Sequence, residues 1–142
     1  MDEQNTGFWN RHSDHFLEMA FRWDKRERVE DPDGYGKRTG ICGDTVEMYV
    51  TCEMGRIKWV TFHADGCMNT NACCNTVSLL AEGKSLEEAW EITPEDVIDY
   101  LETLPAEHTH CAELAVGAFY LALAKIKEDR EDRYRSFRAK GK

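Results

Sequence analysis

Residues 45–64 read TVEMYVTCEMGRIKWVTFHA, and this stretch decides the fold. Val46, Met48, Val50 and Cys52 alternate with Thr45, Glu47, Tyr49 and Thr51, the period-two pattern of a half-buried strand. EMGR turns the chain, and IKWVTFHA, rich in β-branched and aromatic residues, is a second strand. The two predict an antiparallel hairpin that ends at Asp65-Gly66. Downstream the periodicity turns helical from Asn69 to Glu82, with Gly83 placed as the C-cap. Ser85 and Glu88 form a capping-box signature for a short helix. Thr93-Pro94 opens another, with Pro at the first helical position, where its missing N–H costs nothing. LPAEHT breaks it, and a long helix runs from about His110 into the charged tail, burying Ala115, Phe119, Ala122 and Ile126.

Upstream, FWNRHSDHFLEMAFRW (8–23) places Trp9, His12, Phe16, Met19, Ala20 and Trp23 at steps of three and four, an amphipathic helix. DPDGYGKRTG (31–40) has loop composition. Strands early and helices late predict an α+β domain, with helices packed on one face of a small antiparallel sheet. The 142 residues suit a single domain (1–142), closing in a charged C-terminal tail or helix extension over 128–142.

The net charge of −9, from 27 acidic and 18 basic residues, opposes nonspecific nucleic-acid binding, which depends on cations meeting phosphates. No apolar run approaches the ~20 residues of a membrane span. The N-terminus MDEQNTGFWNRHSD lacks a basic start and an apolar core, so no signal peptide and a cytoplasmic location are expected. There, clustered cysteines point to metal or sulfur chemistry rather than disulfides.

Six cysteines are present. Cys52 shares the apolar parity of its strand and reads as core. Cys73 falls in the helical stripe of Val77, Leu80 and Ala81 and reads the same way, while adjacent Cys74 reads as structural or stays unassigned. No C-x-x-C occurs. The other three sit at element ends. Cys42 and Asp44, in GICGDTV, are two apart at a strand's start, where i and i+2 point to one side. Cys67 follows Asp65-Gly66 before a helix. Cys111, after Thr109 and His110, sits in the first turn of the long helix, where the dipole and free N–H groups favour a thiolate. Separations of 25 and 44 residues are unlike the close pairs of a structural zinc site. His12 and His15 read as interfacial or solvated. His63 and His108 lie near the cysteines in sequence.

CGD (42–44), GC opening a helix (66–67), EGKSLEEAW (82–90) and DYLETLPAEHTHCAELAVGA (99–118) resemble the IscU/NifU-type iron–sulfur cluster assembly scaffolds over about residues 8–127. The resemblance implies a three-stranded sheet, whose third strand would lie in the approach to Cys42. It implies that Cys42, Cys67 and Cys111 ligate the cluster, with Asp44 and His110 as the alternative fourth ligand and tuning groups. It implies a transient [2Fe–2S] cluster built from iron and from sulfur donated by a cysteine desulfurase, then passed to recipient apo-proteins, with dimerisation on cluster binding. On this reading the protein is a scaffold and not an enzyme, and zinc can occupy the apo-site. Two departures stand out. MNTNACCN (68–75) follows Cys67 where the family has small residues. The family's chaperone segment, LPPVK, is LPAEH (104–108) here, which argues against dependence on a dedicated Hsp70-type chaperone.

The chemistry agrees with such a role. Thiolates bind soft iron–sulfur centres, and four would hold a cluster permanently. Three thiolates with a carboxylate or an imidazole make a site able to give it up. The alternative reading is a zinc-dependent, SufU-like sulfur-relay protein, a sulfurtransferase using the same ligands. A zinc-binding interaction module is the third.

Overall fold

The computed structural model of the chain describes residues 11–140, with side chains through residue 126. Three antiparallel strands, β1 (Gly34–Thr39), β2 (Thr45–Glu53) and β3 (Arg56–Asp65), form a sheet in the order β1-β2-β3. Helix α1 (Asp14–Phe21) precedes it, and α2 (Met68–Ala81), α3 (Leu86–Ala89), α4 (Pro94–Leu101) and α5 (Thr109–Lys140) follow, with a 3₁₀ turn at Ala106–His108 before α5. The α+β class, the hairpin and the long C-terminal helix agree with the sequence reading.

Val46, Met48 and Val50 of β2 and Val60 and Phe62 of β3 are fully buried. Helices α2 and α5 pack over them, with Val77 and Phe119 fully buried. The opposite face is organised by Glu47, which accepts hydrogen bonds from the hydroxyls of Tyr35 (2.7 Å) and Tyr49 (3.1 Å). His63 belongs to this outer cluster, 3.8 Å from Glu47 and 3.2 Å from Arg28, rather than to the cysteines.

Strand β1 lies inside the segment whose composition predicts a loop, and it is the third strand expected before Cys42. Its glycines are there for space. Gly34 and Gly36 pair with Val50 and Met48. A Cβ on Gly36 would run into the Ala118 carbonyl and stand 2.6 Å from the Ala122 nitrogen of α5. One on Gly34 would meet the Ala122 carbonyl and stand 2.6 Å from Ile126 Cγ1. Glycine in a strand commonly marks such close backbone approach, and here it seats α5 on the sheet.

Helix α1 is shorter than its apolar periodicity suggests. Ser13 caps it, accepting from the Phe16 N–H at 3.0 Å while its hydroxyl donates to Leu101 O at 2.6 Å. Phe16 and Met19 are buried as expected, but Trp23 lies past the end of the helix, 67% exposed, with the Arg26 guanidinium 4.8 Å from its ring. Trp9 lies outside the described residues. The MNTNACCN segment accounts for the C-terminus of α1. Asn71 Nδ2 donates to the carbonyls of Ala20 (2.9 Å) and Arg22 (3.2 Å), and Asn75 Nδ2 to those of Met19 (2.8 Å) and Arg22 (3.0 Å). Two amides one helical turn apart thereby satisfy carbonyls that a helix end leaves orphaned.

Cys73 is fully buried, as read for a core position, and so is Cys74; burial raises both thiols well above the ordinary range. Cys52 is only half-buried, because the β2–β3 register shifts between Thr51 and Cys52 and ends the strict alternation. Gly83, with φ +90°, follows the C-cap Glu82; the predicted capping box of Ser85 with Glu88 is formed, and Thr93 forms a second one with Asp96.

Gly36→Ala is expected to destabilise the fold by about 3 kcal/mol, the upper range for overpacking against backbone that cannot yield. Gly55→Ala meets nothing within 4 Å, but its φ of +78° makes it cost about 1 kcal/mol. Urea unfolding of the two variants measures both, and equal midpoints would remove the close-approach argument.

Candidate metal and sulfur site

Three element junctions meet at one end of the sheet. The first is the turn joining β1 to β2. Gly40 N–H donates to Asp44 O at 2.8 Å, Gly43 N–H to Gly40 O at 3.0 Å, and Gly43 adopts φ +90°. Cys42 and Asp44 thus emerge from a tight turn rather than from the strand itself, and Cys42 is exposed.

The second junction is β3 to α2. Cys67 is the N-cap of α2, with extended backbone and an exposed thiol. A Cβ on Gly66 would stand 2.8 Å from Thr70 Oγ1 and 2.9 Å from Asp44 Oδ2. The glycine before Cys67 therefore lets the Asp44 carboxylate close onto the start of α2.

The third is the 3₁₀ turn leading into α5, which carries His108, His110 and Cys111. Cys111 is buried, 0% exposed. Thr70 links the three junctions. Its hydroxyl is placed to donate to Asp44 Oδ2 at 3.0 Å or to Cys111 Sγ at 3.6 Å, and it lies 3.9 Å from Cys67 Sγ. Having one proton, it serves one acceptor at a time.

The sequence reading omitted Thr70, although its signal was present: a hydroxyl three residues after the N-cap shares that residue's face of the first turn. Ligand atoms of Cys67, His108 and Cys111 lie within 4.8 Å of one another, the group of that kind found among the described residues. His110 Nε2 is 3.7 Å from Cys111 Sγ but does not belong to the trio, and His108 takes its place. Cys42 lies close enough for its charge to act on Cys111.

The thiols differ in a way that reverses the expectation from the helix dipole. Burial pushes Cys111 up to about 11; the Thr70 hydrogen bond lowers it in part, and the charges of Cys67, Asp44 and Cys42 raise it again. Desolvation outweighs the dipole of α5. Burial also pushes Cys67 upward, but hydrogen bonds from the Thr70 and Asn69 backbone and side chains outweigh it and leave this thiol below its ordinary value. The more acidic thiol of the pair is thus the exposed one.

A family model for the NifU-like N-terminal domain matches residues 26–132. The chain belongs to the NifU-like N-terminal domain family. Among curated relatives of this NifU-like chain, the iron–sulfur cluster assembly scaffold protein IscU 1 of Archaeoglobus fulgidus is 34% identical over 97 residues, 68% of this chain and 63% of that protein. The IscU scaffold protein of Escherichia coli is 35% identical over 91 residues, 63% of this chain and 70% of its own length. The match thus spans less than two thirds of the Archaeoglobus protein. Among solved structures, a NifU-like protein (N-terminal) from Brucella abortus superposes with a TM-score of 0.67 at 16% identity, covering 82% of this chain and 94% of that one. A candidate scaffold protein for the SUF system from Fervidobacterium islandicum gives 0.66 at 17% identity, covering 80% and 97%. These two likenesses show the fold shared by NifU-like domains. No helix among the described residues is long and apolar enough to cross a membrane.

Site-resolved alkylation should find Cys67 reacting fastest of this pair at neutral pH. A thiol at about 11 carries roughly 100-fold less thiolate than one at the ordinary value of 9.0, so Cys111 should lag until strongly alkaline pH. Thr70→Val removes the hydroxyl that lowers Cys111 and should slow it further, whereas Thr70→Ser should not. Equal labelling of Cys67 and Cys111 at neutral pH would contradict this ordering.

Proposed function

We propose that this chain is a scaffold on which an iron–sulfur cluster is assembled and from which it is handed to recipient apo-proteins. The observation that carries the reading is the convergence of Cys67 and Cys111 with an imidazole within 4.8 Å, beside the turn that holds Cys42 and Asp44. The family membership and the IscU relatives support it. The cluster is cargo, a [2Fe–2S] unit in this reading, held by Cys42, Cys67 and Cys111 with Asp44 or His110 as the weaker fourth donor.

Each residue then has a distinct task. Cys67, exposed and lowered toward the thiolate, accepts sulfane sulfur from the persulfide of a cysteine desulfurase. Its sulfur attacks the outer sulfur, the S–S bond of the donor breaks, and the donor cysteine leaves as a thiolate. Reduction of the transferred sulfur to sulfide requires electrons from a thiol reductant. Cys111, buried beside Thr70, is the anchoring ligand, which gives up its proton as iron binds. Asp44 is the releasable one. Its hard oxygen suits a sulfur-rich cluster poorly, and the Thr70 hydroxyl stands 3.0 Å away to take the carboxylate back.

On this proposal the protein works stoichiometrically in the cytoplasm rather than as a turnover enzyme, and cluster binding pairs two copies. The altered LPAEH segment leaves it without reliance on a dedicated Hsp70-type chaperone.

A second reading, a zinc-dependent sulfur relay of the SufU kind, is favoured by the same Cys/His group, since two sulfurs and an imidazole suit tetrahedral zinc. Anaerobic reconstitution of the full chain with ferrous iron, cysteine, a desulfurase and a reductant separates the two. The scaffold develops visible sulfide-to-iron absorption that then moves to a recipient apo-ferredoxin, read after the two proteins are separated. A relay stays colourless and passes persulfide on.

Asp44→Ala should leave cluster assembly intact and slow transfer to an apo-ferredoxin roughly tenfold, the scale expected on perturbing one donor of such a site. Transfer at the wild-type rate would contradict the release role given to the carboxylate.

A further inference from the structure

The break before α5 contains a histidine that the scaffold reading leaves without a task. His108 occupies the last position of LPAEH, where the resembling families carry lysine. An ammonium cannot ligate a metal, whereas a neutral imidazole can. In the fold the 3₁₀ turn Ala106–His108 swings this side chain back over the site, so that a ring nitrogen lies within 4.8 Å of both Cys67 Sγ and Cys111 Sγ. His110, one ring away at 5.9 Å between centroids, approaches only Cys111 among those sulfurs. A second observation is independent of that spacing. His108 Nδ1 is buried and has no hydrogen-bond partner. Buried polar atoms are nearly always satisfied, so an unpaired ring nitrogen on an imidazole beside two thiols points to a missing partner.

We propose that His108 is a metal ligand of this protein: with Cys67 and Cys111 it forms a pocket that captures one divalent thiophilic cation, Fe²⁺ or Zn²⁺, before any sulfide is present. This rests on the site assignment made above and extends it to the loading step. The ligand-to-ligand separations that tetrahedral coordination requires, about 3.4–3.8 Å for bonds of ~2.0–2.3 Å, lie a small side-chain adjustment from the arrangement seen. The exposed thiol of Cys67 gives the cation an entry path, and Cys111 and His108 form the inner wall. On binding, the two thiols release their protons to solvent and the imidazole contributes its lone pair, so the bound unit is neutral. The fourth position stays open to water or to a donor from the β1–β2 turn. An open position is what a loading site needs, because sulfide can enter the metal's coordination shell without first displacing a thiolate.

The test is anaerobic titration of the full-length apo-protein with Co²⁺, whose thiolate charge-transfer and d–d bands report tetrahedral S/N coordination. His108→Ala and His108→Lys should each weaken Co²⁺ binding at least about tenfold, since even loss of a group that only supports a ligand costs that much. His63→Ala, on the outer face of the sheet beside Glu47 and Arg28, should leave the affinity unchanged within error. X-ray absorption of the Co²⁺-loaded wild type should show sulfur together with one imidazole, and the imidazole scattering should vanish in His108→Ala. Wild-type affinity and an intact imidazole shell in His108→Ala would overturn the proposal, as would loss of that shell in His110→Ala. Thermal melting of the apo-variants guards against misfolding, and the wild-type absorption spectrum stands without any variant. Cluster reconstitution run in parallel separates the two readings. Histidine-dependent Co²⁺ binding without a reconstituted cluster removes the scaffold role alone, and a cluster with Co²⁺ binding indifferent to His108 removes this inference alone.

Discussion

Helix α5 can lie on the sheet only because β1 offers it no side chains at Gly34 and Gly36. With the Ala118 and Ala122 backbone pressed onto those glycines, the axis and height of α5 above the sheet are set. So is the place where its first turn arrives, beside the β1–β2 turn, and with it the burial of Cys111. The chemistry of the site follows from this packing constraint. A helix held even one side chain farther out would leave Cys111 in water as an ordinary thiol. Seated as it is, the thiol is desolvated and its proton is held until something stronger, such as a metal, replaces it.

The same seating divides labour among sulfurs that look alike in the chain. Cys67 stands at a helix N-terminus with backbone and amide donors around it and water in front. Cys111 stands one junction away under hydrocarbon, with Thr70 as its hydrogen-bond donor. On the scaffold reading proposed above, a site that receives sulfur and retains metal would benefit from that asymmetry, with the outer thiol the more reactive and the inner one the more retentive. Thr70 couples the two halves. Its single proton can be given to the carboxylate or to the buried sulfur, so the state of one is felt by the other.

The segment that departs most from the resembling family also becomes intelligible. MNTNACCN looks out of place after Cys67 if only the site is considered. In the fold, Asn71 and Asn75 close the end of α1, and Cys73 and Cys74 are buried in the core. The bulk that seemed to threaten the site serves the helix packed against it.

Local chemistry made much of this legible from the chain. The β2–β3 hairpin, the helix starts at Ser85 and Thr93, the core position of Cys73, and the grouping of Cys42, Asp44, Cys67 and Cys111 at element ends all follow from alternation, capping and spacing. Those signals act over a few residues, so they survive in a linear reading. What escaped that reading depends on contacts between residues far apart. A glycine-rich stretch counts as a loop until a helix 80-odd residues later is seen to need the space. A helix-terminal cysteine counts as a thiolate until the sheet beneath it removes the water. Which of two histidines faces the sulfurs is decided by a 3₁₀ turn whose direction no periodicity records. Sequence alone determined the hairpin, the later helices and the residue types at the element ends. Desolvation and close packing, which exist only between elements, decided which thiol is buried, which is exposed, and which imidazole lies beside both.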